Sequence, residues 1–218
     1  MRRIKDYSLY LVISEEYGNG RSAIEIAGRA IKGGVDIIQM REKMKTAGEL
    51  VSLGKELSSL CKNSRVAFII NDDPLLAKEV DADGVHLGQG DARIFPPDTA
   101  RRILGAEKII GVSTESVQQV ETADKEDVDY IAYGPVFCTK IKDKCVGTKY
   151  VPDVLKITKK PVVFIGGITL SNMDELLQKG AKNISLIRGI IQADDIAAAA
   201  RNFRERLDIF KERRTKDG

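Results

Sequence analysis

Short apolar runs alternate with helical patterns along the whole chain, and this alternation limits the fold more than any other feature. Residues 7–14, 35–40, 66–70, 83–87, 108–113, 129–133, 161–165 and 183–187 read as strands. Helical patterns follow them at 21–32, 46–61, 74–80, 97–104, 116–123, 151–158, 171–179 and 194–210. Gly33 and Gly34 close the first helix, Pro74 sits in the first turn of the third, and Ser171 caps the seventh. The strands are continuously apolar instead of alternating, which predicts a parallel sheet covered on both faces. Eight such units in 218 residues favour an α/β fold of the closed (βα)8 TIM-barrel type over an open doubly wound sheet. No G-x-G-x-x-G or P-loop motif supports the open alternative. One domain over 1–218 is expected, with 212–218 a frayed tail.

A net charge of +3 with interspersed signs gives no case for nucleic acid, but leaves anionic small molecules as substrates. No stretch is long enough to span a membrane. The opening MRRIKDYSLYLVIS mimics a signal peptide, but Glu15 and Glu16 follow a short apolar run, so it reads as the first strand. Cys61, Cys138 and Cys145, odd in number and irregular in spacing, predict reduced thiols in a reducing compartment, and the cytoplasm is the expected location. A single histidine leaves no zinc cluster to assemble. Oligomeric state is not legible, and a homo-oligomer is allowed.

In such a barrel the C-terminal strand ends build the active site. The second strand ends Gln39-Met40-Arg41-Glu42-Lys43, and alternation puts Gln39, Arg41 and Lys43 on one face as an anion clamp suited to a diphosphate. A solvated charged loop is the alternative. Strands three and four end in Asn71-Asp72-Asp73 and in Gly88-Gln89-Gly90-Asp91, so Asp72 and Asp91 would emerge on one rim and suit Mg²⁺. The plainer alternative is that Asp72 and Asp73 only cap the next helix. His86 reads as a hydrogen-bonded structural histidine, since nothing in the sequence pairs it with a nucleophile. Strand five ends at Ser113, and a long loop after strand six offers Thr139, Lys140 and Lys142. Gly166 and Gly167 after strand seven, with Ile187 and Arg188 ending strand eight, suit the phosphate site that recurs there. Tight packing under a helix is the other reading of the glycine pair.

Two anion sites, one metal-assisted and one metal-free, suit the joining of a diphosphate to a monophosphate. No Ser-His or Cys-His arrangement is evident, so catalysis would rest on stabilising a departing diphosphate. The blocks LYLVIS, QMREK, FIINDD, DGVHLGQGD, IIGVST, DYIAYGPVFCTKIK, PVVFIGGI and ISLIRGI, in this order, resemble the thiamine-phosphate synthase family over nearly the whole chain. The resemblance implies a (βα)8 barrel that couples 4-amino-2-methyl-5-hydroxymethylpyrimidine diphosphate to a thiazole phosphate. It implies Gln39, Arg41, Lys43 and Asn71 on the diphosphate, Mg²⁺ on Asp72 and Asp91, and Ser113 and Lys142 nearby. It places Thr139 and Gly167 at the thiazole phosphate, and implies ionisation to a pyrimidine methyl cation that the thiazole nitrogen captures.

Three departures fall mostly on the thiazole side. Ile141 stands where the family has a second threonine, Arg188 where serine is common, and the segment after Asp91 is longer. Arg188 is expected to add compensating charge at the thiazole phosphate; a solvent-facing arginine is the alternative. The nearest rival is a thiazole tautomerase-like relative, for which the resemblance implies a histidine in the strand-five motif. That position is Glu115 here. A non-catalytic phosphate-binding barrel is a second rival, and a phosphate-binding isomerase or decarboxylase a third.

Overall fold

The computed structural model describes residues 4–88, 95–138 and 145–216. The strands are β1 (Leu9–Ile13), β2 (Ile37–Met40), β3 (Ala67–Asn71), β4 (Gly84–Leu87), β5 (Ile109–Thr114), β6 (Tyr130–Tyr133), β7 (Val162–Ile165) and β8 (Asn183–Leu186). They form a closed barrel in sequence order, each parallel to the next, with β8 pairing back onto β1. The helices are α1 (Ala23–Lys32), α2 (Ala47–Ser64), α3 (Pro74–Glu79), α4 (Pro97–Leu104), α5 (Val117–Asp124), α6 (Val151–Ile157), α7 (Met173–Gln178), α8 (Arg188–Ile191) and α9 (Ile196–Lys216). The expected fold is the observed one.

The strands are apolar throughout because each has two buried faces. In β1, Leu9, Leu11 and Ile13 pack under the helices, while Tyr10 and Val12 join Ile37, Ile69, Tyr130 and Val163 inside the barrel. The floor is closed by a repeated device. Asp36 and Asp83, just before β2 and β4, accept the backbone N–H of Leu9 and Phe68. Asp129, before β6, accepts that of Ile110, and Asn183, opening β8, accepts that of Ser8. Each even-numbered strand thus satisfies an amide at the start of an odd-numbered neighbour that water could not reach.

Local sequence explains most boundaries. Thr46 and Glu49 form a capping box at α2, and Ser22 and Ser116 accept the N–H of Glu25 and Gln119 at α1 and α5. Three expectations need correction. Asn172, not Ser171, precedes α7; its Oδ1 accepts the Thr169 N–H, while Ser171 pairs with the Thr169 hydroxyl. The strand ending at 187 stops at Leu186, and Arg188 begins the short helix α8. The last helix continues through 212–216, where the sequence suggests fraying, and Arg214 donates to the Leu177 carbonyl at 2.9 Å.

On the floor, Asp81 accepts from Lys108 at 2.7 Å and Lys62 at 2.6 Å, and these lysines hold its carboxyl down at about 2 from an ordinary 3.8. A depressed folded-state value stabilises above the unfolded value and is lost as pH falls through the folded one. Asp81→Asn should therefore lower stability at pH 7 by about 0.5 kcal/mol, since solvent screens so exposed a group. Urea midpoints of the two proteins should converge as pH falls from about 4 to about 2; a constant gap would contradict the assignment.

Candidate active site

Seven of the expected residues line one cavity of about 700 Å³ at the C-terminal mouth of the barrel: Gln39, Arg41, Asn71 and Ser113 on one side, Gly167, Ile187 and Arg188 on the other. Lys43 and Asp72 line a smaller pocket of about 150 Å³ whose wall includes Arg41 and Asn71 as well. Asp91, Thr139 and Lys142, and with them Gln89 and Ile141, lie outside the described residues.

The β2 end is held from both sides. The Arg41 N–H donates to the Ile13 carbonyl at 2.9 Å. Glu42 turns away from the cavity, and its Oε1 accepts the Glu15 N–H at 2.7 Å while burial raises its carboxyl pKa. Glu15 in turn caps Ala23 and pairs with Lys45 at 2.6 Å. These ties fasten the β1 and β2 loops together and leave Arg41 on the cavity wall. Among the described residues, neither Arg41 nor Arg188 has a side-chain hydrogen bond or ion-pair partner. Two half-buried guanidiniums in one cavity, without partners among the described residues, suit the binding of anions.

The two aspartates after β3 have separate roles. Asp73 caps α3, its Oδ1 accepting from Leu75 at 2.8 Å and Leu76 at 3.0 Å. Asp72 adopts φ 68°, a left-handed conformation that Asp tolerates at some cost, so it points away from the helix. Its N–H donates to the His86 carbonyl at 2.7 Å, its Oδ1 accepts from Gly88 at 2.9 Å, and its Oδ2 meets the Asn71 amide. The capping alternative therefore holds for Asp73 and fails for Asp72. Among the described residues no group of three His, Cys, Asp or Glu side chains is placed to hold a metal. A single hard carboxylate beside an anion pocket still fits Mg²⁺, which takes one or two carboxylates and completes its shell with water and phosphate oxygens.

Below the mouth runs a chain of buried polar groups that the sequence did not reveal. Gln39 Nε2 donates to the Tyr10 hydroxyl at 2.7 Å, and Tyr10 and Tyr130 share a hydrogen bond of 2.9 Å. His86 Nδ1 meets the Tyr130 hydroxyl at 2.8 Å, and its Nε2 meets Ser113 Oγ at 2.9 Å. A Ser-His pair thus exists, contrary to the sequence reading, because β4 and β5 are neighbours. Burial pushes the imidazole down to about 4, so His86 is neutral at physiological pH. Burial raises both tyrosines well above the usual range. The available signal was two tyrosines at inward-facing positions, since a buried tyrosine hydroxyl needs a partner.

The glycines after β7 are fixed by close approach. Gly166 and Gly167 have φ 101° and 65°, and a Cβ on either would lie 2.4 Å from Pro135 Cβ or 2.5 Å from the Phe137 carbonyl oxygen. The β6 loop reaches this contact through a cis Gly134–Pro135 bond, with Phe137 N–H donating to the Gly166 carbonyl at 3.0 Å. The close packing is against the β6 loop and not under a helix, and both glycines also line the cavity. The cysteine expectation is corrected here. Cys138 and Cys145 form a disulfide with Cα atoms 4.9 Å apart, and Cys61 is buried and outside it. Val146 N–H donates to the Pro135 carbonyl at 2.8 Å, which holds the segments that carry Cys138 and Cys145 side by side.

A family model described as thiamine monophosphate synthase matches residues 9–190. The chain belongs to the thiamine monophosphate synthase family. A thiamine-phosphate synthase of Pelotomaculum thermopropionicum is 42% identical over 199 residues, covering 90% of each chain. That of Halalkalibacterium halodurans is 39% identical over 203 residues, 92% of this chain and 95% of its own. The solved thiamine phosphate pyrophosphorylase of Pyrococcus furiosus superposes with a TM-score of 0.85 at 31% identity, covering 94% of this chain and 96% of its own. As a thiamine-phosphate synthase the chain is a transferase, and its substrates are small molecules. No helix among the described residues is long and apolar enough to cross a membrane.

Proposed function

We propose that the chain couples 4-amino-2-methyl-5-hydroxymethylpyrimidine diphosphate to 4-methyl-5-(2-phosphoethyl)thiazole, or its carboxylated form, giving thiamine phosphate and diphosphate. The observation that carries this is the pair of guanidiniums, Arg41 and Arg188, that line one cavity and have no side-chain partner among the described residues. One cavity with two anion receptors suits a reaction whose substrates each bring a phosphate group.

Arg41, Lys43 and the Asn71 amide grip the diphosphate and stabilise the charge that develops as the C–O bond ionises. Asp72 and Asp91 are the residues that would hold Mg²⁺, and the ion would supply positive charge to offset that of the leaving diphosphate. Arg188 and the backbone around Gly167 hold the thiazole phosphate, with Ile187 on the same cavity wall. This keeps the ring nitrogen in line with the cationic carbon. Val12, Val163 and Ile165 line the same cavity, and an apolar wall limits capture of the cation by water. Ser113 completes the diphosphate side of the cavity, and the family resemblance assigns Lys142 to the same substrate. Glu115, not a histidine, lines the cavity at the end of β5, which favours coupling over tautomerisation.

The test is to mix the protein with both substrates, with and without Mg²⁺, and to measure thiamine phosphate. Magnesium-dependent product is expected; binding of both substrates without turnover would indicate a silent barrel, and tautomerisation alone the nearest rival. Asp72→Asn should raise the Mg²⁺ concentration for half-maximal rate by on the order of tenfold or more. An unaltered metal titration would remove Asp72 from the ligand set.

A further inference from the structure

We infer that Gln39, Tyr10, Tyr130, His86 and Ser113 form a hydrogen-bond chain of one fixed polarity, which makes Ser113 a donor into the cavity and His86 a positioning residue, not a base. The inference deepens the proposed function, because it rests on the cavity being the diphosphate site.

The polarity follows from counting protons. Gln39 Nε2 donates to the Tyr10 oxygen, so the single Tyr10 proton goes to its other partner, Tyr130. Tyr130 then accepts from Tyr10, and its own proton goes to His86 Nδ1. A neutral imidazole that accepts at Nδ1 carries its proton on Nε2, which donates to Ser113 Oγ. The Ser113 hydroxyl proton therefore points away from His86. In a cavity built for anions, a hydroxyl fixed as donor strengthens the hold on a phosphate oxygen without reorientation during reaction. The opposite polarity would have Ser113 donate to Nε2, which is how a serine nucleophile is activated. Burial favours the first arrangement: Tyr10 and Tyr130 are 2% and 0% exposed and His86 8%, so their polar atoms face one another more than solvent. The His86 and Tyr130 rings also stack at 5.5 Å, fixing the imidazole plane.

His86 is the only histidine in the chain, so the imidazole ¹⁵N spectrum of the full-length labelled protein reports it alone. The expected result at neutral pH is a single neutral tautomer protonated at Nε2. A ring protonated at Nδ1, or a mixture of the two tautomers, would overturn the inference. Tyr130→Phe removes the donor to Nδ1. A loss of the single tautomer is expected with a fall in kcat on the order of tenfold, the size of one well-placed hydrogen bond. Retention of both tautomer and rate in that variant would also overturn it, as would a covalent adduct trapped on Ser113 in the parent enzyme. The tautomer is read without turnover, so absence of coupling activity would defeat the functional reading separately from the polarity.

Discussion

Arg41→Ala is expected to lower kcat by on the order of a hundredfold to a thousandfold, the usual loss when one preorganised donor to a developing anion is removed. Arg41 lines both the main cavity and the smaller pocket that contains Asp72, so it reaches the leaving group from either side. Its guanidinium has no partner among the described residues, so the substitution breaks no internal contact. The melting temperature should therefore stay within a degree or so of the parent, as for a surface change of negligible stability effect. Arg41→Lys keeps the charge and loses the planar fork, so it should recover only part of the rate. Steady-state rates at saturating substrates and Mg²⁺ measure both variants. Full turnover by Arg41→Ala would show that the diphosphate is held elsewhere.

Gly111→Ala should damage stability and rate together. Gly111 lies in β5, and a Cβ there would fall 2.0 Å from Tyr130 Cζ and 2.6 Å from its hydroxyl oxygen. Tyr130 cannot easily yield, since it is fully buried and tied to Tyr10 at 2.9 Å and His86 at 2.8 Å. Overpacking of this kind costs about 1–3 kcal/mol, and each displaced hydrogen bond about 1 kcal/mol more. For a chain of this size the melting temperature should fall by roughly 5–10 °C. Displacing Tyr130 also unpins His86 and Ser113, so kcat should drop at least about tenfold in the fraction that remains folded. Calorimetry and rate measurements below the transition check this. A variant with parent stability and rate would mean that the interior tyrosine has room to move and that its bonds carry no function.

The barrel was legible because strand continuity and helix spacing are local signals that repeat along the chain. The helix boundaries that sequence misplaced lack such signals. Arg188–Ile191 is a single turn with no periodicity to read, and the last turns of α9 are fixed by a tertiary bond from Arg214 to Leu177. At the site, the strand-end position of Gln39, Arg41, Asn71 and Ser113 was enough to place them on one mouth. The roles of Asp72 and Asp73 could not be separated without the backbone angle at Asp72. The interior chain was hidden because its members come from five different strands, and Tyr10 and Tyr130 are 120 residues apart. The disulfide was hidden because a backbone bond from Val146 to Pro135, not the spacing of the cysteines, holds their two segments together.

The most direct measurement is the position of inorganic diphosphate and Mg²⁺ in crystals of the protein grown with both. Diphosphate oxygens on Arg41, Lys43 and Asn71, with the ion on Asp72 and Asp91, is the predicted result. Diphosphate seated instead against Gly167 and Arg188, with no ion at Asp72, would contradict the account.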